Sequence, residues 1–345
     1  MNQRQLFLQH IAQTSQEPTG LEMIKASGIY QYDVSGKEYI DLISGFSVAN
    51  IGHSHPKVVE AVQKQAAEYM HLIVYGEFIE APQVAYAKLL IDHLPEKLNS
   101  VYFTNSGAEA TEGAMKLVKR FTGRSKIIAF NKSYHGSTQG ALSLMGDEYW
   151  RNAFRPLLPD VHHFDYGSSA AIEAIDEATA CIILETVQAE SGVIKPSSEW
   201  LQSIRSKCNA CGTLLILDEI QAGFGRTGSL WAFEQFTIVP DILLLGKALL
   251  DGDFINAVKQ KEKILEKFLA HQKIIYLNTA GLWASLAFDS FETNKKIIRR
   301  CIEKGLITDW FLFAPNCLRI APPLIITEDE LIDACNKIIE AVNEV

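Results

Sequence analysis

The sequence predicts an α/β protein with a mostly parallel, doubly wound sheet in a large domain and a smaller α+β domain built from both ends of the chain. Three observations predict it. From about residue 97 to 250, short apolar runs alternate with amphipathic stretches. The runs are nearly continuous in apolar residues, as strands covered on both faces require. The two flanks carry a different pattern, and neither is large enough to stand alone.

The apolar runs are SVYFTN (100–105), KIIAFN (126–131), ACIILETVQ (180–188), TLLILDEIQ (213–221) and DILLLGK (241–247). After the first, Ala110, Ala114, Leu117, Val118 and Phe121 mark one face of a helix, and residues 199–208 read as another. In the N-terminal flank, GIYQYDVSGKEYIDLI (28–43) alternates around a Ser-Gly turn, a hairpin signal. Residues 281–345 hold short strands and two helical patterns. The expected division joins residues 1–50 and 251–345 in the small domain, leaving 51–250 as the large one.

Composition narrows the function. The 345 residues carry 32 basic and 41 acidic side chains, a net charge of −9, with 48% hydrophobic residues. That core content excludes a disordered chain. The acidic balance argues against nucleic acid or an anionic membrane as partner. No run approaches the ~18 apolar residues of a membrane span, and MNQRQLFLQHIAQTSQ lacks a secretory pattern. Cys208 and Cys211 form a lone C-x-x-C without the second pair a zinc site needs, so they read as two thiols on a helix. His53 and His55, in GHSHP, read as a turn before a helix, with no metal site. The scattered cysteines suit a reducing compartment, the cytoplasm.

Ligands of open α/β sheets bind beyond the carboxyl ends of the strands. There, Ser106-Gly107-Ala108-Glu109 has the Ser-x-x-Glu pattern of a capping box. A glycine lets backbone approach a ligand closely, and a helix N-terminus favours an anion such as phosphate; the same pattern also suits an ordinary cap. Asp218, Glu219 and Gln221 end another run, where a buried carboxylate needs a cation, a metal or a protonated ring nitrogen. Lys247 ends a third; a lysine buried there loses its proton readily and can form a Schiff base with a carbonyl. An anion cradle, a carboxylate and a lysine together are the fixtures that pyridoxal phosphate requires.

The stretches FTNSGAEATEGAMKLVKR, YHGSTQGALSL, ETVQAESGV, LILDEIQAGFGRTG, PDILLLGKAL and LRIAPPLIIT, in that order, resemble the class III aminotransferases of the pyridoxal-phosphate fold-type I superfamily. The resemblance implies that Lys247 carries the cofactor and moves a proton, and that Asp218 partners the pyridinium nitrogen. It implies that Gln221 bonds the ring's phenolic oxygen, that Ser106, Gly107 and Ala108 bind phosphate, and that Tyr134 stacks on the ring beside His135 and Gly136. Glu190 and Arg319 resemble a gating pair, in which the arginine binds the α-carboxylate of a 2-oxo acid and the glutamate covers it while an ω-amine reacts. Arg226 reads as structural. Phe46 stands where ornithine-specific relatives carry a tyrosine, and Ser137 where several relatives carry an arginine, which weakens the ornithine and 4-aminobutyrate readings. The implied activity is transfer of a terminal amino group from an ω-amino acid or diamine to 2-oxoglutarate by a homodimer with shared active sites. Two rivals are an aminomutase or racemase of the same family and a degenerate, non-catalytic member.

The resemblance breaks after Lys247. The family continues with a Gly-rich segment, a further strand and a turn whose threonine reaches the partner subunit's phosphate. Here the chain runs almost directly into LDGDFINAVKQKEKILEKFL, which resembles a small-domain helix. Thr279 does not replace that threonine, because its surroundings fit a later strand. Several tens of residues are absent, either by deletion or because an internal mobile segment is omitted from the sequence. The intact flanking patterns favour omission.

Overall fold

A computed structural model describes residues 2–15, 18–73, 76–247 and 254–345, and among these the strands form three sheets. Near the N-terminus, β1 (Met23–Ser27) pairs with β2 (Tyr30–Asp33), which pairs in turn with β3 (Glu38–Asp41), all antiparallel. The expected hairpin is therefore present. Its turn needs Gly36, whose φ of 83° suits a residue without Cβ. Asp33 Oδ1 closes the turn by accepting bonds from the Ser35 and Lys37 amides at 2.9 and 3.0 Å.

The large sheet is parallel throughout, in the order β5-β4-β6-β7-β8. Its strands are β4 (Lys126–Phe130), β5 (Val161–Phe164), β6 (Thr179–Glu185), β7 (Leu214–Asp218) and β8 (Ile242–Leu244). Every residue of β6 is buried, which explains its continuous apolar run. Alternate residues face opposite layers. Ile127, Ala129, Ile183 and Ile216 pack with Ala114 and Val118 of the helix Gly107–Thr122. Ile128, Phe130, Ile182 and Leu217 pack with Leu201 and Ile204 of the helix Ser198–Cys211. From β4 the chain goes to one side for β5, then to the other for β6, so a switch point lies between β4 and β6.

The C-terminal part holds β9 (Tyr276–Thr279), β10 (Ala284–Ala287), β11 (Leu306–Ile307), β12 (Trp310–Phe311) and β13 (Ala314–Ile320), with helices at Phe254–Phe268, Phe291–Glu303 and Glu328–Asn343. Strands β12-β13-β10-β9 form the antiparallel third sheet. β11 lies parallel to β3, with Leu306 opposite Ile40, so both ends of the chain share one sheet. A single apolar cluster joins Ile29, Ile40 and Leu42 to Leu282, Leu318 and Ile338.

Two readings need correction. SVYFTN (100–105) is not a strand: it makes no ladder, and Tyr102 and Phe103 are 72% and 42% exposed. Beyond β8 no further strand pairs among the described residues, although the family pattern continues at that point. An apolar run becomes a strand only where a neighbour takes its N–H and C=O groups. The other concerns the break after Lys247: the full sequence runs unbroken over 345 residues, so the segment is absent from the chain itself and has not been omitted. The junction at 248–253 and the expected boundary at 250/251 lie outside the described residues.

Candidate active site

The carboxyl ends of β4, β6 and β7 and the start of the helix Gly107–Thr122 surround one cavity of about 320 Å³. Ser106, Gly107, Ala108, Tyr134, His135, Asp218 and Gln221 line it, so most of the residues expected at the site come together there. Their sequence separation is spanned by the parallel strands, whose register sets Glu185 beside Asp218 at adjacent ends.

The helix start is capped by Ser106, whose Oγ accepts a bond from the Glu109 amide at 3.2 Å. The backbone there is packed close: a Cβ on Gly107 would sit 2.8 Å from Ile220 Cδ1, and one on Gly136 2.8 Å from Ala108 Cα. Gly136 also has φ 120°, so only glycine lets this wall approach the helix start. Thr111 Oγ1 donates to the His135 carbonyl at 2.9 Å, tying the helix to the opposite wall.

Asp218 and His135 form a buried pair, Nδ1 to Oδ2 2.8 Å. Burial pulls the His135 pKa down, but the bond to Asp218 and the charges of Asp218 and Glu185 outweigh it, and the net shift is upward. Asp218 Oδ1 accepts from the Ile220 amide at 3.0 Å. Two of the roughly four lone-pair directions of the carboxylate are thus engaged, which leaves capacity for a further donor. Two buried atoms in the lining have no partner, His135 Nε2 and Gln221 Oε1. Orphaned polar atoms in a buried wall are what a polar ligand would satisfy.

Lys247 does not line the cavity. It is buried, and its Nζ donates to the main-chain carbonyl of Gln221 and, at 3.4 Å, to that of Gly223. The amine therefore lies against the turn that carries Gln221. Burial, aided by the charge of Arg226, holds its pKa well below the usual lysine range, against the opposing charges of Glu219 and Asp218. Arg226 is itself buried and bonds the Leu282 and Pro322 carbonyls and Asn50 Oδ1, a role in packing.

The expected gating pair is joined. Arg319 Nη1 and Nη2 each donate to Glu190 at 2.9 Å, a bidentate fork. Glu190 also accepts from Gln221 Nε2 at 3.3 Å and the Leu312 amide at 2.9 Å, so the pair abuts the cavity wall. Burial raises the Glu190 pKa, but the charge and bonds of Arg319 outweigh this and leave it lowered. The Phe46 ring lies 5.0 Å from the guanidinium carbon and the Phe311 ring 4.4 Å. Phe46 reaches it from a turn in which Ser44, Gly45, Phe46 and Ser47 all have positive φ, 51° to 64°. Each non-glycine residue there costs roughly 1–2 kcal/mol. Asp41 holds the turn by accepting from the Ile43 and Ser44 amides at 2.8 Å. Ser137, in the lining, leaves that position without a cation.

Two carboxylates were missed in the sequence. Glu185 accepts from the Tyr134 and Ala189 amides at 3.0 and 2.8 Å, and burial pushes its pKa up to about 8. Its place at the end of an apolar run was a readable signal. Asp309 Oδ1 accepts from Arg319 Nε at 2.9 Å, and nothing in the local pattern marked it.

A match to the family Aminotransferase class-III covers residues 11–273. An acetylornithine aminotransferase of Methanopyrus kandleri is 43% identical over 249 residues, covering 71% of this chain and 63% of that enzyme. An acetylornithine aminotransferase of Bacillus cereus is 33% identical over 372 positions, covering 93% of this chain and 94% of that enzyme. Since 93% of 345 residues fills far fewer than 372 positions, about fifty of them have no counterpart here. The ornithine aminotransferase structure from Toxoplasma gondii superposes with a TM-score of 0.87 at 25% identity, covering 99% of this chain and 93% of that one. The chain thus belongs to the class III aminotransferases, with their fold type and their cofactor, pyridoxal phosphate.

Proposed function

We propose that this protein transfers a terminal amino group from an ω-amino acid or diamine to 2-oxoglutarate, as a cytoplasmic homodimer. The observation that carries the reading is the cavity where a helix start, the Asp218–His135 pair and the Gln221 amide converge. Pyridoxal phosphate, when bound, supplies the carbonyl and the electron-accepting ring. The residues present fit it: Ser106, Gly107 and Ala108 would hold the phosphate, Asp218 the ring nitrogen, Tyr134 the ring face, and the unpartnered Gln221 Oε1 and His135 Nε2 mark unsatisfied polar positions in the wall. Lys247 would exchange its carbonyl partners for the cofactor and then hold or deliver the substrate's proton at Nζ.

The neutral amine is the reactive form, and its fraction grows as pH rises through the depressed pKa. Capture of pyridoxal phosphate, followed by absorbance, should climb with pH and level off well below 10.5, the ordinary lysine value. A climb that continues up to that value contradicts the burial argument.

Glu190 and Arg319 support the substrate class. With the fork closed, a donor reacts through its ω-amine; with it open, a 2-oxo acid carboxylate pairs with the guanidinium. In Glu190→Gln the ion pair is lost, and the kcat/KM ratio for glutamate over N-acetylornithine should rise about tenfold. An unchanged ratio in steady-state assays speaks against gating.

The deciding experiment incubates the protein with pyridoxal phosphate, 2-oxoglutarate and, in turn, ornithine, N-acetylornithine, lysine and 4-aminobutyrate. Glutamate formation supports the proposal. Rearrangement of the donor without an acceptor supports the aminomutase rival. The absent segment beyond Lys247 favours a second reading, a non-catalytic member, which predicts neither a cofactor-linked spectrum nor glutamate.

A further inference from the structure

Arg319 is held from two directions, by Glu190 and by the stretch 308–310. Glu190 takes Nη1 and Nη2 with a buried carboxylate that also accepts from Gln221 Nε2 and the Leu312 amide. The stretch 308–310 grips the rest. Asp309 Oδ1 accepts from Nε at 2.9 Å, and the Trp310 carbonyl accepts from Nη2 at 3.0 Å. The main chains are locked as well: the Arg319 amide donates to the Asp309 carbonyl at 2.9 Å, and Thr308 Oγ1 to the Arg319 carbonyl at 2.6 Å. The arginine side chain is 1% exposed, so water offers it no alternative partners.

From this arrangement we infer that Asp309 is a positioning residue for the acceptor's carboxylate, a reading that rests on the function proposed above for Arg319. A guanidinium has five donors in a fixed plane. With Nε taken by Asp309, rotation of Glu190 uncovers the Nη1–Nη2 edge and no other. An incoming carboxylate therefore meets a fork whose direction is already set, and the guanidinium does not swing after the departing glutamate. Held this way, Arg319 spends no further ordering free energy when the acceptor arrives.

The test uses the pyridoxal-phosphate-loaded enzyme and two variants. Asp309→Ala removes the Nε partner; Asp309→Asn keeps an oxygen that can accept from Nε. Glutarate, a dicarboxylate that cannot be aminated, is titrated calorimetrically, and KM and kcat are measured with 2-oxoglutarate. In the alanine variant the glutarate Kd and the 2-oxoglutarate KM should both rise about tenfold, with kcat within about threefold of wild type. The asparagine variant should bring both constants back to within about threefold of wild type. Wild-type glutarate affinity in the alanine variant overturns the inference, as does an asparagine variant as weak as alanine, since charge and not the bond would then matter. A wild-type enzyme that converts donor and 2-oxoglutarate but passes one of these overturning results refutes Asp309 alone. A wild type that binds no glutarate refutes the proposed role of Arg319 itself.

Discussion

Lys247→Ala should abolish the visible band of protein-linked pyridoxal phosphate and lower glutamate formation by a factor on the order of 10⁴ or more. Two losses combine in this one substitution. The buried amine is the only lysine nitrogen beside Gln221 and Gly223 that the described residues offer at the end of β8. It is also the group that would carry a proton to and from the substrate, a contribution of about 10²–10⁴ by itself. The fold should survive, because alanine removes a costly buried amine whose partners are two carbonyls of one turn. Absorbance after cofactor addition, circular dichroism and a coupled glutamate assay check the three parts. A variant that keeps the band sinks the assignment of position 247.

Asp218→Asn is the second large effect, a drop in turnover on the order of 10³, the scale for losing one pre-organised electrostatic contact to a charge-bearing reaction centre. The volume is conserved, and an asparagine oxygen can still accept from the Ile220 amide. The negative charge facing the ring nitrogen is what disappears. A second signature accompanies it. The His135 pKa is raised because the Asp218 bond and the charges of Asp218 and Glu185 outweigh burial. Without the Asp218 charge the balance moves toward burial, so the His135 pKa should fall from its wild-type value, measurable by NMR titration of the imidazole. Turnover within a few-fold of wild type, together with an unmoved His135, would remove Asp218 from the site.

Much of the large sheet was legible in the sequence. β4, β6 and β7 are buried between two helix layers and β8 is half-buried beside them, and burial on both faces leaves a run of apolar residues that no amphipathic helix or exposed strand shares. β5 (Val161–Phe164) was not read, because it is an edge strand with two histidines in four residues. SVYFTN was read as a strand and is not one, because strand formation depends on a neighbour that this chain lacks among its described residues. Within the site, Asp218, Gln221 and the Ser106 turn were legible as polar residues ending apolar runs. Asp309 was not, because its meaning comes from the fold of β12 back along β13, which brings it to Arg319.

The sequence by itself determined which residues carry chemistry and on which strand ends they stand, since periodicity and strand-end polarity are local properties. Tertiary structure alone decided three other things. It turned the Lys247 amine onto the carbonyls of Gln221 and Gly223 and kept it out of the cavity lining. It set Phe46 on the guanidinium of Arg319 through a left-handed turn anchored by Asp41. It enclosed that guanidinium between Glu190 and Asp309. Each depends on the direction of a side chain relative to groups far away in the chain, and direction is set by packing and by the cost of leaving a buried charge without partners.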